Sequence, residues 1–110
     1  MTLRLKVGVR LSADQAMAVL LVAVREAFGA LPCVVTSGMD GKHKDGSLHY
    51  QGLAFDFRTK HMADQLKDKL IEDLRNRLTS DFDILLEDRG GENEHLHVEF
   101  DPKTFEEGEA

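Results

Sequence analysis

His49, Asp56 and His97 are the residues of this 110-residue chain whose types and placement best fit a metal centre. Asp56 lies in Leu53-Ala54-Phe55-Asp56-Phe57-Arg58 and His97 in His95-Leu96-His97-Val98-Glu99-Phe100, two segments that alternate in polarity. Successive side chains point to opposite faces of a strand, so Leu53, Phe55 and Phe57 share one side and Ala54, Asp56 and Arg58 the other. The same rule sets Leu96, Val98 and Phe100 against His95, His97 and Glu99. If the two strands pair with their apolar faces on a common core, the polar faces align and Asp56 comes near His97. His49, seven positions before Asp56 in a loop turned by Gly52, is the natural third ligand. Two imidazoles and a carboxylate suit zinc, which in catalytic sites takes three protein ligands and leaves a fourth position open. Such an ion lowers the pKa of water and polarises a carbonyl. A carboxylate is then needed to take the proton and deliver it to the leaving amine. Glu94, three residues before His97, reads as that general base. Its strand parity is wrong for the polar face, so the role requires it to stand just outside the regular strand.

The elements that must position these residues can be read around them. Ser12 and Gln15 form a capping box that opens a helix running to about Phe28, with Gly29 as its stop. Arg4, Lys6 and Arg10 ahead of the apolar stretch Ala16 to Val24 imitate an export signal. Asp14, Gln15, Arg25 and Glu26 interrupt that stretch at both ends, which favours a core helix. Ala13, Met17, Leu20, Val24 and Phe28 fall on one face, and Val19, Val22 and Ala23 widen it enough to predict burial on most sides. A second helix, Met62 to Leu78, carries Leu66, Leu70, Leu74 and Leu78 on one stripe and turns Asp64, Lys67, Asp68, Glu72 and Arg75 outward. Further strands are expected over Thr2 to Val9, Cys33 to Thr36 and Phe82 to Leu86. The loops Ser37 to Leu48 and Asp88 to Asn93 border the site. Strands and helices alternate without a repeating β-α-β order, so the fold class is α+β. The expected architecture is a small antiparallel sheet with two main helices packed against it. One domain spans residues 1–101, followed by an acidic tail, 102–110.

Ser47-Leu48-His49-Tyr50-Gln51-Gly52-Leu53-Ala54-Phe55-Asp56 resembles the Ser-x-His-x-x-Gly-x-Ala-x-Asp signature of zinc D-alanyl-D-alanine carboxypeptidases and L-alanyl-D-glutamate endopeptidases. That family includes vancomycin-resistance dipeptidases and phage endolysins, and the hedgehog signalling domain shares its fold. Glu94-His95-Leu96-His97 is similar to its second motif, an acid three residues before the last histidine ligand. The resemblance implies a hedgehog/DD-peptidase-like fold, zinc held by His49, Asp56 and His97, and Glu94 as general base and acid. It implies that Ser47 sits beside the site, in reach of substrate. His95, on the His97 face, is a further candidate for substrate contact. Many relatives have Ser-Gly-Tyr-Arg ahead of the first ligand, where this chain has Ser37-Gly38-Met39-Asp40. Lys42 or His43 would then supply the positive charge at the oxyanion. The implied activity is hydrolysis of peptidoglycan stem peptides in phage or prophage cell-wall lysis. The alternative is a catalytically silent zinc-binding interaction module of the same fold.

Composition narrows the field further. Twenty acidic against fourteen basic residues give a net charge of −6, which argues against nucleic acid as a partner. Cys33 is the only cysteine, so neither an intramolecular disulfide nor a four-cysteine zinc site can form. It reads as an inert core thiol, and His61 as structural or exposed. No apolar run is long enough to span a membrane. The expectation is a protein made in the cytoplasm without an export signal, reaching the cell wall after release.

Overall fold

A computed structural model describes Lys6, residues 9–40, His43 and residues 45–102. Along the chain it forms α1 (Ala13–Phe28), β1 (Val35–Ser37), a one-turn 3-10 helix (Leu48–Gln51), β2 (Ala54–Arg58), α2 (Asp64–Arg77), β3 (Phe82–Glu87) and β4 (His95–Phe100). The four strands make one sheet in the order β1-β2-β4-β3, antiparallel at every pairing. The class is therefore α+β, with two helices and a four-stranded antiparallel sheet. Of the expected first strand, Thr2 to Val9, only Lys6 and Val9 are among the described residues, and neither is in a strand. Lys42 and the tail from Lys103 also lie outside the described residues.

α1 starts where side chains replace the missing backbone partners of its first turn. The Gln15 amide donates to Ser12 Oγ at 3.2 Å, and the Ser12 amide donates to Gln15 Oε1 at 3.1 Å. Ala16, Met17, Leu20, Ala23, Val24 and Phe28 are buried, while Ala13 and Val22 are exposed. The expectation of burial on most sides is thus corrected to a single buried face. Among the described residues α1 packs mainly on α2 and β4, and its outer surface faces solvent.

α2 places Leu70 and Leu74 in the core, with Leu78 just past its end. Leu66 was expected on the same stripe but is 43% exposed. Residues four apart drift about 40° per step round a helix, so Leu66 stands about 80° away from Leu74. Lys67 lies closer to the Leu70–Leu74 line and is buried, against the expectation that it faces outward. The reason is an ion pair with Glu94 that draws it inward.

The core lies between the helices and the apolar face of the sheet. Phe57, Leu96, Val98, Leu20 and Leu74 are fully buried there. Each large side chain so removed from water contributes roughly 1.5–3 kcal/mol. Cys33 packs at the edge of this cluster, half-buried.

Candidate metal centre

The opposite face of the sheet carries the polar residues. β2 and β4 pair with Asp56 across from His97, and β3 pairs with β4 with Leu85 across from His97 and Glu87 across from His95. His49 comes from the 3-10 helix immediately before β2. Ser47 opens that turn by accepting the His49 amide on its Oγ at 3.2 Å. Gly52 closes it at φ 72°, returning its amide to the His49 carbonyl at 3.0 Å. A left-handed φ is open to glycine without steric strain. Space is not the constraint there, because an added Cβ would approach nothing closer than Met39 Sδ at 3.6 Å.

Three acceptor atoms meet between these elements. His49 Nε2 is 3.1 Å from Asp56 Oδ1 and 3.1 Å from His97 Nδ1, and His97 Nδ1 is 3.0 Å from Asp56 Oδ1. Ligand atoms about 2.0 Å from a tetrahedral zinc ion stand about 3.3 Å apart, close to this triangle. The outer nitrogens fix the tautomers. His49 Nδ1 donates to the Gly38 carbonyl at 2.7 Å, and His97 Nε2 donates to Glu99 Oε1 at 2.6 Å. Each neutral ring therefore turns a lone pair into the triangle, and such outer partners are what orient imidazoles for a metal. His49 is 2% exposed, and Asp56 and His97 are each 7% exposed.

Converging acceptors need a positive charge. Burial lowers the His97 pKa, but its bonds to Asp56 and Glu99 outweigh that and hold it up to about 9. Burial likewise raises the Asp56 pKa, yet the His97 bond and the charges of His49, His95 and His97 keep it below the usual carboxylate range. A proton on His97 and a metal ion thus compete for one position. The residues present fit a metal ion, and His43, His49 and Asp56 also form a group whose ligand atoms lie within 4.8 Å of one another.

The other candidates are placed differently. Glu94 stands just before β4, outside the regular strand, as the general-base expectation required. Both its oxygens are already engaged, Oε1 by Lys67 Nζ at 2.7 Å and the Gly90 amide at 3.1 Å, Oε2 by the Thr59 hydroxyl at 2.6 Å. Burial would raise its pKa, but these three donors bring it down to about 2. His43 lies flat on His49, ring centroids 3.8 Å apart and planes at 6°. Its Nε2 is taken up by Ser37 Oγ at 3.0 Å and the Asp40 carbonyl at 2.8 Å. His95 and Ser47 both border the cleft over the triangle, which encloses about 850 Å³. His61, expected to be structural or exposed, is exposed and bonds the Pro32 carbonyl at 3.1 Å while stacking on Phe28.

Sequence reading gave Glu87 no role. Its Oε1 lies 3.7 Å from His97 Nδ1 and 3.4 Å from His95 Nε2, and it faces the cleft half-exposed. The signal was available. Extending the strand Phe82 to Leu86 by one residue and pairing it with the His95 strand sets Glu87 on the histidine face.

Compared with known protein families, with characterised proteins and with solved structures, the chain matches none. No helix among the described residues is long and apolar enough to cross a membrane.

Proposed function

We propose that this chain is a zinc-dependent peptidase that hydrolyses peptidoglycan stem peptides, of the D-Ala-D-Ala carboxypeptidase or L-Ala-D-Glu endopeptidase type, acting in phage or prophage cell-wall lysis. The observation that carries the reading is the triangle of His49 Nε2, Asp56 Oδ1 and His97 Nδ1, with sides of 3.0–3.1 Å, formed by residues of the Ser47-to-Asp56 signature and the downstream histidine. Those three residues would hold zinc, which supplies Lewis acidity and makes a water acidic near neutral pH.

The remaining chemistry falls to side chains of the cleft. Glu87, half-exposed beside the triangle and 3.4 Å from His95 Nε2, would take a proton from water and return it to the leaving nitrogen. Glu94, the general base expected from sequence, also lines the cleft and is bonded by Lys67 and Thr59. His95 contacts substrate from the neighbouring position on β4. Arg58 and Lys60 are cations on the described cleft wall and suit a substrate that carries carboxylates, as stem peptides do.

A catalytically silent zinc-binding module is the second reading, favoured by the full engagement of Glu94. The deciding experiment digests stem peptides with zinc-loaded wild type, Glu87→Gln and Glu94→Gln. Cleavage by wild type, a loss of about 100-fold or more in Glu87→Gln with zinc retained, and a smaller loss in Glu94→Gln are expected. Zinc bound with no cleavage by wild type would establish the silent module. A larger loss in Glu94→Gln than in Glu87→Gln would return the base to Glu94.

A further inference from the structure

Asp56 has two oxygens, and the triangle uses one. Oδ2 is 3.7 Å from His95 Nε2, which in turn is 3.4 Å from Glu87 Oε1. His95 Nδ1 lies 2.6 Å from the Asn93 carbonyl. A carbonyl only accepts, so Nδ1 carries the proton and the neutral ring presents a lone pair at Nε2. A second set of acceptors therefore converges, one each from β2, β3 and β4, with ligand atoms of Asp56, Glu87 and His95 all within 4.8 Å of one another. Their spacing resembles that of atoms about 2.0–2.2 Å from a common ion. The ligand set differs from the first in having two carboxylates and one imidazole, and in opening to the cleft through the half-exposed Glu87.

We propose that Asp56 Oδ2, Glu87 and His95 form a second, weaker site for a zinc-class divalent cation, bridged to the first through Asp56. Paired ions in hydrolytic sites stand about 3.5–4 Å apart, a separation one bridging carboxylate spans. The inference rests on the metal reading above, since Asp56 Oδ1 belongs to the first site. Its consequence is regulatory. A cation on Glu87 occupies the lone pair that proton transfer needs, so metal beyond one equivalent inhibits the peptidase.

The test is equilibrium dialysis of chelator-stripped wild type, His95→Ala, His95→Gln and Glu87→Gln against Zn²⁺, with metal per chain counted by mass spectrometry and folding checked by circular dichroism. Wild type should take up two ions, the second at least tenfold weaker, and each variant should take up one. Stem-peptide turnover in wild type should rise with the first equivalent and fall with the second. One ion in wild type at saturation overturns the second site and leaves the first standing. No ion overturns both. Two ions in folded His95 and Glu87 variants place the second cation elsewhere and overturn the assignment, as does turnover that goes on rising through the second equivalent. A merely ion-paired, protonated His95 would give the one-ion result.

Discussion

Two buried polar clusters flank the same cleft, and they are built on opposite plans. At the Glu94 cluster the carboxylate meets a fixed cation, Lys67 Nζ at 2.7 Å, and two further donors, Thr59 and the Gly90 amide. At the His49–Asp56–His97 triangle the ring nitrogens and the carboxylate oxygen all face one another as acceptors, and no lysine or arginine forms an ion pair with Asp56 among the described residues. A buried anion with its own cation is complete and serves to hold structure. Buried acceptors without one must recruit a proton or a metal ion. On the proposed reading, the difference leaves Glu94 as an acid already paired and makes Glu87 the candidate for proton transfer beside the triangle.

The sharpest way to break this contrast is to remove a triangle member. His97→Ala should lose bound zinc and, with it, about a thousand-fold or more in peptide turnover, because the ion's several kcal/mol of transition-state stabilisation go too. Asp56→Ala should behave alike. Metal per chain measured beside the circular dichroism spectrum decides the matter, and a zinc-replete His97→Ala protein would remove His97 from the ligand set.

The Glu94 cluster should respond in the opposite currency. Glu94→Gln leaves the buried Lys67 with only the exposed Asp64, 3.3 Å away, as its counter-charge and should lower the melting temperature by about 5 °C, with zinc still bound. Replacing the pair together, Lys67→Met with Glu94→Leu, should recover much of the loss, since a buried ion pair is often matched by apolar residues of similar volume. A double variant as unstable as Glu94→Gln alone would mean that Thr59 and Gly90, not the ion pair, define the cluster.

The two clusters also face opposite ends of the pH scale. The Glu94 pKa is depressed from 4.5 to about 2, so its stabilisation is present above about 4.5 and is lost as pH falls toward 2. That of His97 is raised from 6.5 to about 9, so in metal-free protein its stabilisation is full below 6.5 and is lost as pH rises through about 9. Because zinc must displace that proton, apparent zinc affinity should rise about tenfold per pH unit between pH 7 and 8 and level off above about 9. Dialysis at stepped pH checks the slope. A flat profile would mean that His97 gives up no proton to the metal.

How much of this could be read from the chain follows the same division. The period-two alternation around Asp56 and His97 set both faces correctly, and the observed register places the two residues opposite each other. Ser12 and Gln15 located the start of α1 because capping is a local interaction. Glu87 and Lys67 escaped because their roles depend on partners far away in sequence. Glu87 gains its place only when β3 is laid beside β4, and Lys67 turns inward only because Glu94 waits 27 residues on. Leu66 was misplaced for a milder reason, the drift of an i, i+4 row around a helix. Local chemistry was legible where the spacing itself builds the contact, and illegible where the contact depends on register.

Gly52 tests the smallest link in the comparison, the one between a backbone angle and the triangle. Its φ of 72° ends the 3-10 turn that holds His49. Gly52→Ala puts a side chain on a left-handed residue, at a cost of about 1 kcal/mol, without a steric clash. If the strain is relieved by easing the turn, His49 shifts and the triangle loosens. Zinc affinity should then fall several-fold, and the stability loss should be larger with zinc than without it. Denaturant unfolding with and without a chelator separates the two contributions. Equal losses in both conditions would show that the turn keeps His49 in place whatever residue 52 costs, and that the geometry of the triangle is fixed by the sheet and by the Gly38 carbonyl bond instead.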